Sequence, residues 1–187
     1  MISEKTKMIS GKLYDPLDPV LVEERRLARI RAKAFNDSLE LNTESRLRLL
    51  QELLPNAGRN LWIEPPFYCD YGSNIYIGDD VYFNFNCVVL DVCTVCIGSR
   101  VKIGPSVQLY AATHPLGYRE RSSGREFGKP IEIGDDIWIG GGAIICPGVR
   151  IGARTVIGAG SVVTKDIPAG VFAAGNPCSV IRTIVDQ

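Results

Sequence analysis

An aliphatic residue followed by glycine or another small residue recurs every six positions through the second half of this chain. Ile133-Gly134, Ile139-Gly140, Ile145-Cys146, Ile151-Gly152, Ile157-Gly158 and Val163-Thr164 keep the interval without a slip. Ile97-Gly98, Ile103-Gly104 and Leu109-Tyr110 keep it earlier. A period of six fits neither the α-helical turn nor simple strand alternation. It describes a chain that turns a corner every six residues. One aliphatic side chain per repeat points inward, the small residue after it permits the corner, and three sides close a coil of about eighteen residues. A coil cannot bury its inner face alone, so coils must stack. The fold class that follows is an all-β solenoid, a parallel β-helix. An ordinary sandwich would need the pairs to fall in register by coincidence. The period does not set the hand of the winding, and the crossover rule for parallel strands favours a right-handed one.

Two interruptions stand out. Ile77-Gly78 opens the series, but the stretch 79–96 breaks its phase. Between 110 and 132 the pattern lapses around His114, Gly117, Gly124 and Gly128, which predicts an excursion loop over 111–130. Upstream of Trp62 the text is charged and helix-friendly. Leu21, Leu27, Ile30 and Ala34 recur at helical spacing and predict an amphipathic helix over 20–36. Thr43 is the expected N-cap of a second helix that runs to Leu54 and stops at Pro55. The chain thus divides into a helical segment, 1–58, and a β-helix, 59–187.

A length of 187 residues suits one domain with a small appendage. Twenty-one basic and 21 acidic residues cancel, which argues against a general nucleic-acid binder. Met1 to Ser10 has no apolar run resembling a signal peptide, and no stretch approaches the ~20 apolar residues that span a bilayer. The expected compartment is cytoplasmic, with the six cysteines as reduced thiols. Cys93 and Cys96 form a lone CxxC. Zinc would need two further ligands at suitable spacing, so the pair reads as two small, partly buried residues.

Longer strings sharpen the picture. They are Cys69-Asp70-Tyr71-Gly72-Ser73-Asn74, Asn84-Phe85-Asn86, Ala112-Thr113-His114-Pro115, Ile137-Trp138-Ile139-Gly140, Val163-Thr164-Lys165-Asp166-Ile167-Pro168 and Ala174-Gly175-Asn176-Pro177. With the repeat and the Gly11-Lys12-Leu13-Tyr14 start, the chain resembles the hexapeptide-repeat acetyltransferases over nearly its whole length. Within them it is most similar to the maltose and galactoside O-acetyltransferase group. The resemblance implies a left-handed winding and a homotrimer with active sites between subunits. It also implies N-terminal helices that cover the acceptor end of each site.

The same resemblance suggests roles for single residues. His114 is the only histidine in the chain. An imidazole ordinarily titrates near pH 6.5, so it can act as general base for a hydroxyl attacking a thioester. Asn84 matches the asparagine that faces the reacting groups. Asp70 matches a sugar-contacting position, and Asp91 and Glu126 fall near acceptor-side positions. For acetyl-CoA, the matching positions are Gly141, Ala159, Thr164, Lys165 and Arg182. Backbone amides at Gly141 and Ala159 suit the pantetheine arm, and Thr164, Lys165 and Arg182 suit the phosphates. Trp138 reads equally as a donor-site wall or a subunit contact. Two positions depart from some relatives. Gly141 stands where they carry a serine, which leaves only a backbone N–H for an oxyanion. Ser179 stands where they carry an arginine, which leaves Arg182 as the main C-terminal cation.

The function expected is acetyl transfer from acetyl-CoA to a hydroxyl of a small sugar of the glucose or maltose type, with no metal required. Alternatives are acetylation of another hydroxyl compound, such as a xenobiotic or an oligosaccharide, and a non-catalytic scaffold. A β-helix carbonic anhydrase would need three histidine ligands, and the chain has one.

Overall fold

Each repeat ends in a short extended stretch whose side chains alternate. Val101, Ile137 and Val149 are buried, Lys102, Trp138 and Arg150 are exposed, and Ile103, Ile139 and Ile151 are buried again. Two positions per repeat therefore point inward, where the sequence pattern shows one. The computed structural model, which describes residues 2–38 and 43–185, stacks these stretches into three parallel sheets around one apolar core. The first face runs through Asn56–Ala57, Ile75–Ile77, Val95–Ile97, Ile131–Ile133 and Arg150–Ile151. The second runs through Trp62–Ile63, Tyr82–Phe83, Lys102–Ile103, Trp138–Ile139, Val156–Ile157 and Val171–Gly175. It ends in the antiparallel strand Cys178–Thr183. The third runs through Phe67–Cys69, Cys87–Leu90, Gln108–Tyr110, Ile144–Ile145 and Val162–Val163. Inward side chains stack like on like: Phe83 pairs with Ile103, Ile103 with Ile139, and Ile139 with Ile157. Where the column turns polar, hydroxyls are satisfied. Buried Thr155 Oγ1 donates to Pro168 O at 2.9 Å, and Ser161 Oγ donates to Gly158 O at 2.6 Å.

The corners follow a different rule from the expected one. The left-handed backbone falls three residues after the inward aliphatic, at Asp80, Asn86, Arg100, Ser106, Asp136 and Arg154 as well as at glycines. The glycine directly after the aliphatic is required by the neighbouring coil instead. A Cβ on Gly98 would sit 2.7 Å from the carbonyl carbon of Gly134 in the next coil.

The phase break is also narrower than the sequence suggested. Phe83 and Val89 are inward and keep the interval of six from Ile77; the slip comes only between Val89 and Ile97. Ile77 pairs with Ile97 twenty residues on, whereas Ile133 pairs with Ile151 eighteen on. The two extra residues of each early coil lie at the corner from the third face to the first, around 70–74 and again around 90–94. The excursion leaves the next coil at that same corner. It is a hairpin, Ala112–Thr113 antiparallel to Phe127–Gly128, with the short helix Tyr118–Arg121 between them.

Among the described residues, three helices precede the coils: α1 (Glu4–Ile9), α2 (Pro19–Asn36) and α3 (Thr43–Leu53). Asp18 caps α2, its carboxylate accepting from Val20 N and Leu21 N, and Pro19 opens the first turn. The expected inward stripe of α2 holds only at Leu21. Ala28, Ala32 and Phe35 complete the buried face, while Leu27, Ile30 and Ala34 are exposed. Small alanines let the helix lie close to the solenoid, a feature that bulk-based periodicity overlooks. Thr43 is the first residue of α3, and the helix stops one residue before Leu54; residues preceding it lie outside the described set. Cys93 Sγ is turned toward Ile9 O of α1 at 3.3 Å, whereas Cys96 lies on the outer side of its strand.

Candidate active site

The widened corner is organised from beneath. Asp91 is fully buried. Its Oδ1 accepts from Asp70 N at 3.0 Å and Tyr71 N at 2.8 Å, and its Oδ2 accepts from Asn74 N at 3.3 Å. Burial pushes the carboxyl up to about 6, against the pull of these amides. Asp91 therefore lies under the corner and shapes it, rather than meeting an acceptor as its position in the sequence suggested. Asp70, in contrast, has a carboxylate that accepts no hydrogen bond from the described residues and stays partly open to solvent. Burial raises its pKa first and the nearby Glu126 carboxylate adds to this, while Arg25 and Arg29 of α2 pull it back. Arg25 Nη1 donates to the buried Tyr71 hydroxyl at 2.6 Å, and its guanidinium lies 5.7 Å from that ring. The Tyr71 phenol is pushed up to about 12 by burial. Helix α2 is thus tied to the same corner as the hairpin.

The hairpin supplies the imidazole. His114 directly follows the strand Ala112–Thr113, and its side chain is 56% exposed, open enough to meet a ligand. Glu126 faces it from the opposite side of the hairpin, with Oε2 3.8 Å from His114 Nε2. The other oxygen, Oε1, accepts from the Tyr14 hydroxyl. Asp70, His114 and Glu126 are thereby gathered at one end of one corner. Tyr14, Tyr71 and Arg25 join them, and their isolated positions in the sequence carry no signal of that.

The remaining candidates lie elsewhere on the prism. Asn84, Gly141 and Ala159 sit at the corner between the second and third faces: Ala159 lies above Gly141, and Asn84 lies two coils below, in register with Gly140. Asn84 Oδ1 accepts from Phe85 N at 2.7 Å. The amides of Gly141 and Ala159 donate to no acceptor among the described residues. A Cβ on Gly141 would lie 3.1 Å from Pro105, which makes even a serine tight there. Trp138 and Arg182 are exposed on the second face; Trp138 pairs with Val156, Val156 with Phe172, and Phe172 with Arg182. Thr164 and Lys165 are exposed at the third-to-first corner, two coils above the point where the hairpin leaves the stack. Within one chain, then, Trp138 and Arg182 lie on the second face, and the other candidates fall at two corners separated by the width of the third sheet.

Similar proteins agree with this architecture. A family model described as the maltose acetyltransferase hexapeptide capping motif matches residues 7–58, and one for the bacterial transferase hexapeptide matches residues 130–165. The galactoside O-acetyltransferase of Escherichia coli K12 is 46% identical over 178 residues, covering 95% of this chain and 88% of its own. The crystal structure of a maltose O-acetyltransferase from Clostridium difficile 630 superposes with a TM-score of 0.97 at 47% identity, over 98% of both chains. A galactoside acetyltransferase solved with coenzyme A superposes with a TM-score of 0.95 at 44% identity, over 100% of this chain and 93% of that one. The chain is an acyltransferase and belongs to the hexapeptide-repeat acetyltransferases, in the group of the maltose and galactoside O-acetyltransferases.

Proposed function

We propose that the chain transfers acetyl from acetyl-CoA to a hydroxyl of a small sugar of the glucose or maltose type, with His114 as general base. The observation that carries this reading is the exposed imidazole facing the Glu126 carboxylate, near the partly exposed carboxylate of Asp70. His114 takes the proton of the acceptor hydroxyl as its oxygen attacks the thioester carbonyl. The new C–O bond forms, the C–S bond breaks, and the departing thiolate receives the proton from the imidazolium. The products are an acetyl ester and the free thiol of coenzyme A. Glu126 stabilises the imidazolium while it lasts, as a carboxylate beside a catalytic histidine does. This shifts its role from contacting sugar to serving the base. Asp70 accepts from acceptor hydroxyls, and the Gly141 N–H is suited to the oxyanion.

The division of candidates over two corners supports a homotrimer. The outer side of the third face presents Tyr68, Val88, Gln108, Ile144 and Val162 in one column, apolar but for Gln108 and suited to burial around a three-fold axis. Turning that face inward brings Asn84, Gly141 and Ala159 of one protomer toward His114 of the next. Acetyl-CoA then lies along the groove between protomers, with Trp138 as a wall and Thr164, Lys165 and Arg182 near its phosphates. No described helix is long and apolar enough to cross a membrane. Six unpaired thiols accord with a reducing, cytoplasmic setting.

The test is release of coenzyme A thiol from acetyl-CoA against glucose, maltose, galactosides, amino sugars, serine and hydroxylated antibiotics. Turnover on glucose or maltose, lowered ~10²–10⁴-fold in His114→Ala, is the expected result. A His114→Ala enzyme with wild-type kcat would refute the mechanism. Turnover confined to another acceptor would replace the sugar and keep the chemistry.

A further inference from the structure

Tyr14 has no part in the chemistry above, yet it is fully buried and hydrogen-bonded to the group that faces the base. Its ring packs among Met8, Leu21, Tyr71 and Val92. Its hydroxyl donates to Glu126 Oε1. The two backbones also pair in both directions: Tyr14 N donates to Glu126 O at 3.0 Å, and Glu126 N donates to Tyr14 O at 3.3 Å. Residues 112 apart in the chain are thereby held together twice over. The remaining oxygen of that carboxylate, Oε2, is the atom 3.8 Å from His114 Nε2.

We propose that Tyr14 is a positioning residue, whose hydroxyl fixes the Glu126 carboxylate so that one oxygen stays aimed at His114. The proposal rests on the reading of His114 as general base. Packing alone would be met by phenylalanine; the hydroxyl is needed only for its acceptor. The backbone bridge is independent of the hydroxyl. Removing the hydroxyl therefore leaves the hairpin docked and frees the carboxylate to rotate away from the ring. The consequence falls on proton transfer and not on the donor, whose candidate contacts lie on other elements. The N-terminal segment thus does more than cover the end of the solenoid: it completes the base.

The test compares Tyr14→Phe, Glu126→Gln, the double variant and His114→Ala in the full-length protein, each checked for folding by thermal melt. Tyr14→Phe is expected to lower kcat roughly tenfold, the scale of one hydrogen bond to a charged group, with KM for acetyl-CoA within twofold. Glu126→Gln should lower kcat at least as much, and the double variant no further, because the hydroxyl acts through the carboxylate. Losses that multiply in the double variant would mean independent actions and overturn the proposal. So would a Tyr14→Phe enzyme with a lower Tm and unchanged kcat, which would make the phenol structural. If His114→Ala loses turnover while Tyr14→Phe does not, the positioning role alone fails. If His114→Ala keeps its turnover, the base reading fails and takes the proposal with it.

Discussion

Asp91→Asn separates two forces that oppose each other under the widened corner. The carboxyl is buried beyond the reach of solvent, and this raises its pKa from 3.8 to about 6. Three backbone amides donate to it and favour its charged form. If burial prevails, the folded chain holds a proton on Asp91 between about pH 4 and pH 6 that the unfolded chain has released. Stability then falls as pH rises through that window, since the folded state binds more protons there. The span from 3.8 to about 6 corresponds to on the order of 3 kcal/mol. Asparagine cannot titrate, so the variant lacks this slope. It does carry a fixed penalty. Its amide oxygen can replace Oδ1 for Asp70 N and Tyr71 N, but its NH₂ then meets Asn74 N–H, a lost hydrogen bond costing about 1–3 kcal/mol at every pH. Denaturant titrations of both proteins at equal protomer concentration, from pH 4 to 7, read the difference directly and cancel assembly effects. The variant should gain on the wild type by up to about 3 kcal/mol as pH rises from 4 to 6.5. A difference that stays flat would show that the amides hold Asp91 ionised throughout, and the burial argument would be wrong.

Two further outcomes are expected. Lys165→Ala and Arg182→Ala should each raise KM for acetyl-CoA, roughly three- to tenfold at low salt and less at high salt, with kcat unchanged; an equal fall in kcat would place them in the chemistry instead. Gly98→Ala should destabilise the folded chain by about 1–3 kcal/mol or more in thermal melts, because its Cβ meets the backbone of Gly134. Gly117→Ala, with nothing within 4 Å of the added carbon, serves as the comparison and should change little; equal effects at both sites would remove close coil approach as the reason for the glycine.

The solenoid is legible in the sequence because its core is the same in every coil. Ile103, Ile139 and Ile157 occupy one column, and each is followed by a glycine that the neighbouring coil demands. Phe83 and Val89 hold the same inward positions but are followed by Asn84 and Leu90, so a search for aliphatic–glycine pairs passes over them. The excursion hides in another way. Ile97 pairs with Ile133, thirty-six residues on. That is two coil lengths, so the phase resumes as though nothing had intervened. The site is less legible. Asp91 and Asp70 are both single carboxylates in β-rich text, and only their vertical register shows that one lies beneath the other's backbone. Tyr14 meets Glu126 across 112 residues of chain, which no local pattern encodes.

The places where the repeat fails are more informative about function than the repeat itself. A chain of identical coils offers identical corners, and a reaction needs one unlike the rest. Each coil contacts only its neighbours, so residues can be added at a corner without disturbing the stacked core. Here the additions share one corner. Two coils each carry two extra residues between the third and first faces, and the next carries the hairpin with His114 and Glu126. The first addition supplies Asp70 and the second supplies the carboxylate that holds Asp70's backbone in place. The third supplies the imidazole and its carboxylate, and the N-terminal segment closes over all three through Tyr14 and Arg25. Insertions at unrelated corners would have been neutral variation on surface loops. Three in vertical register, each furnishing a polar group that meets at least one of the others, make a designed departure from periodicity, and the phase slips in the sequence are its visible trace.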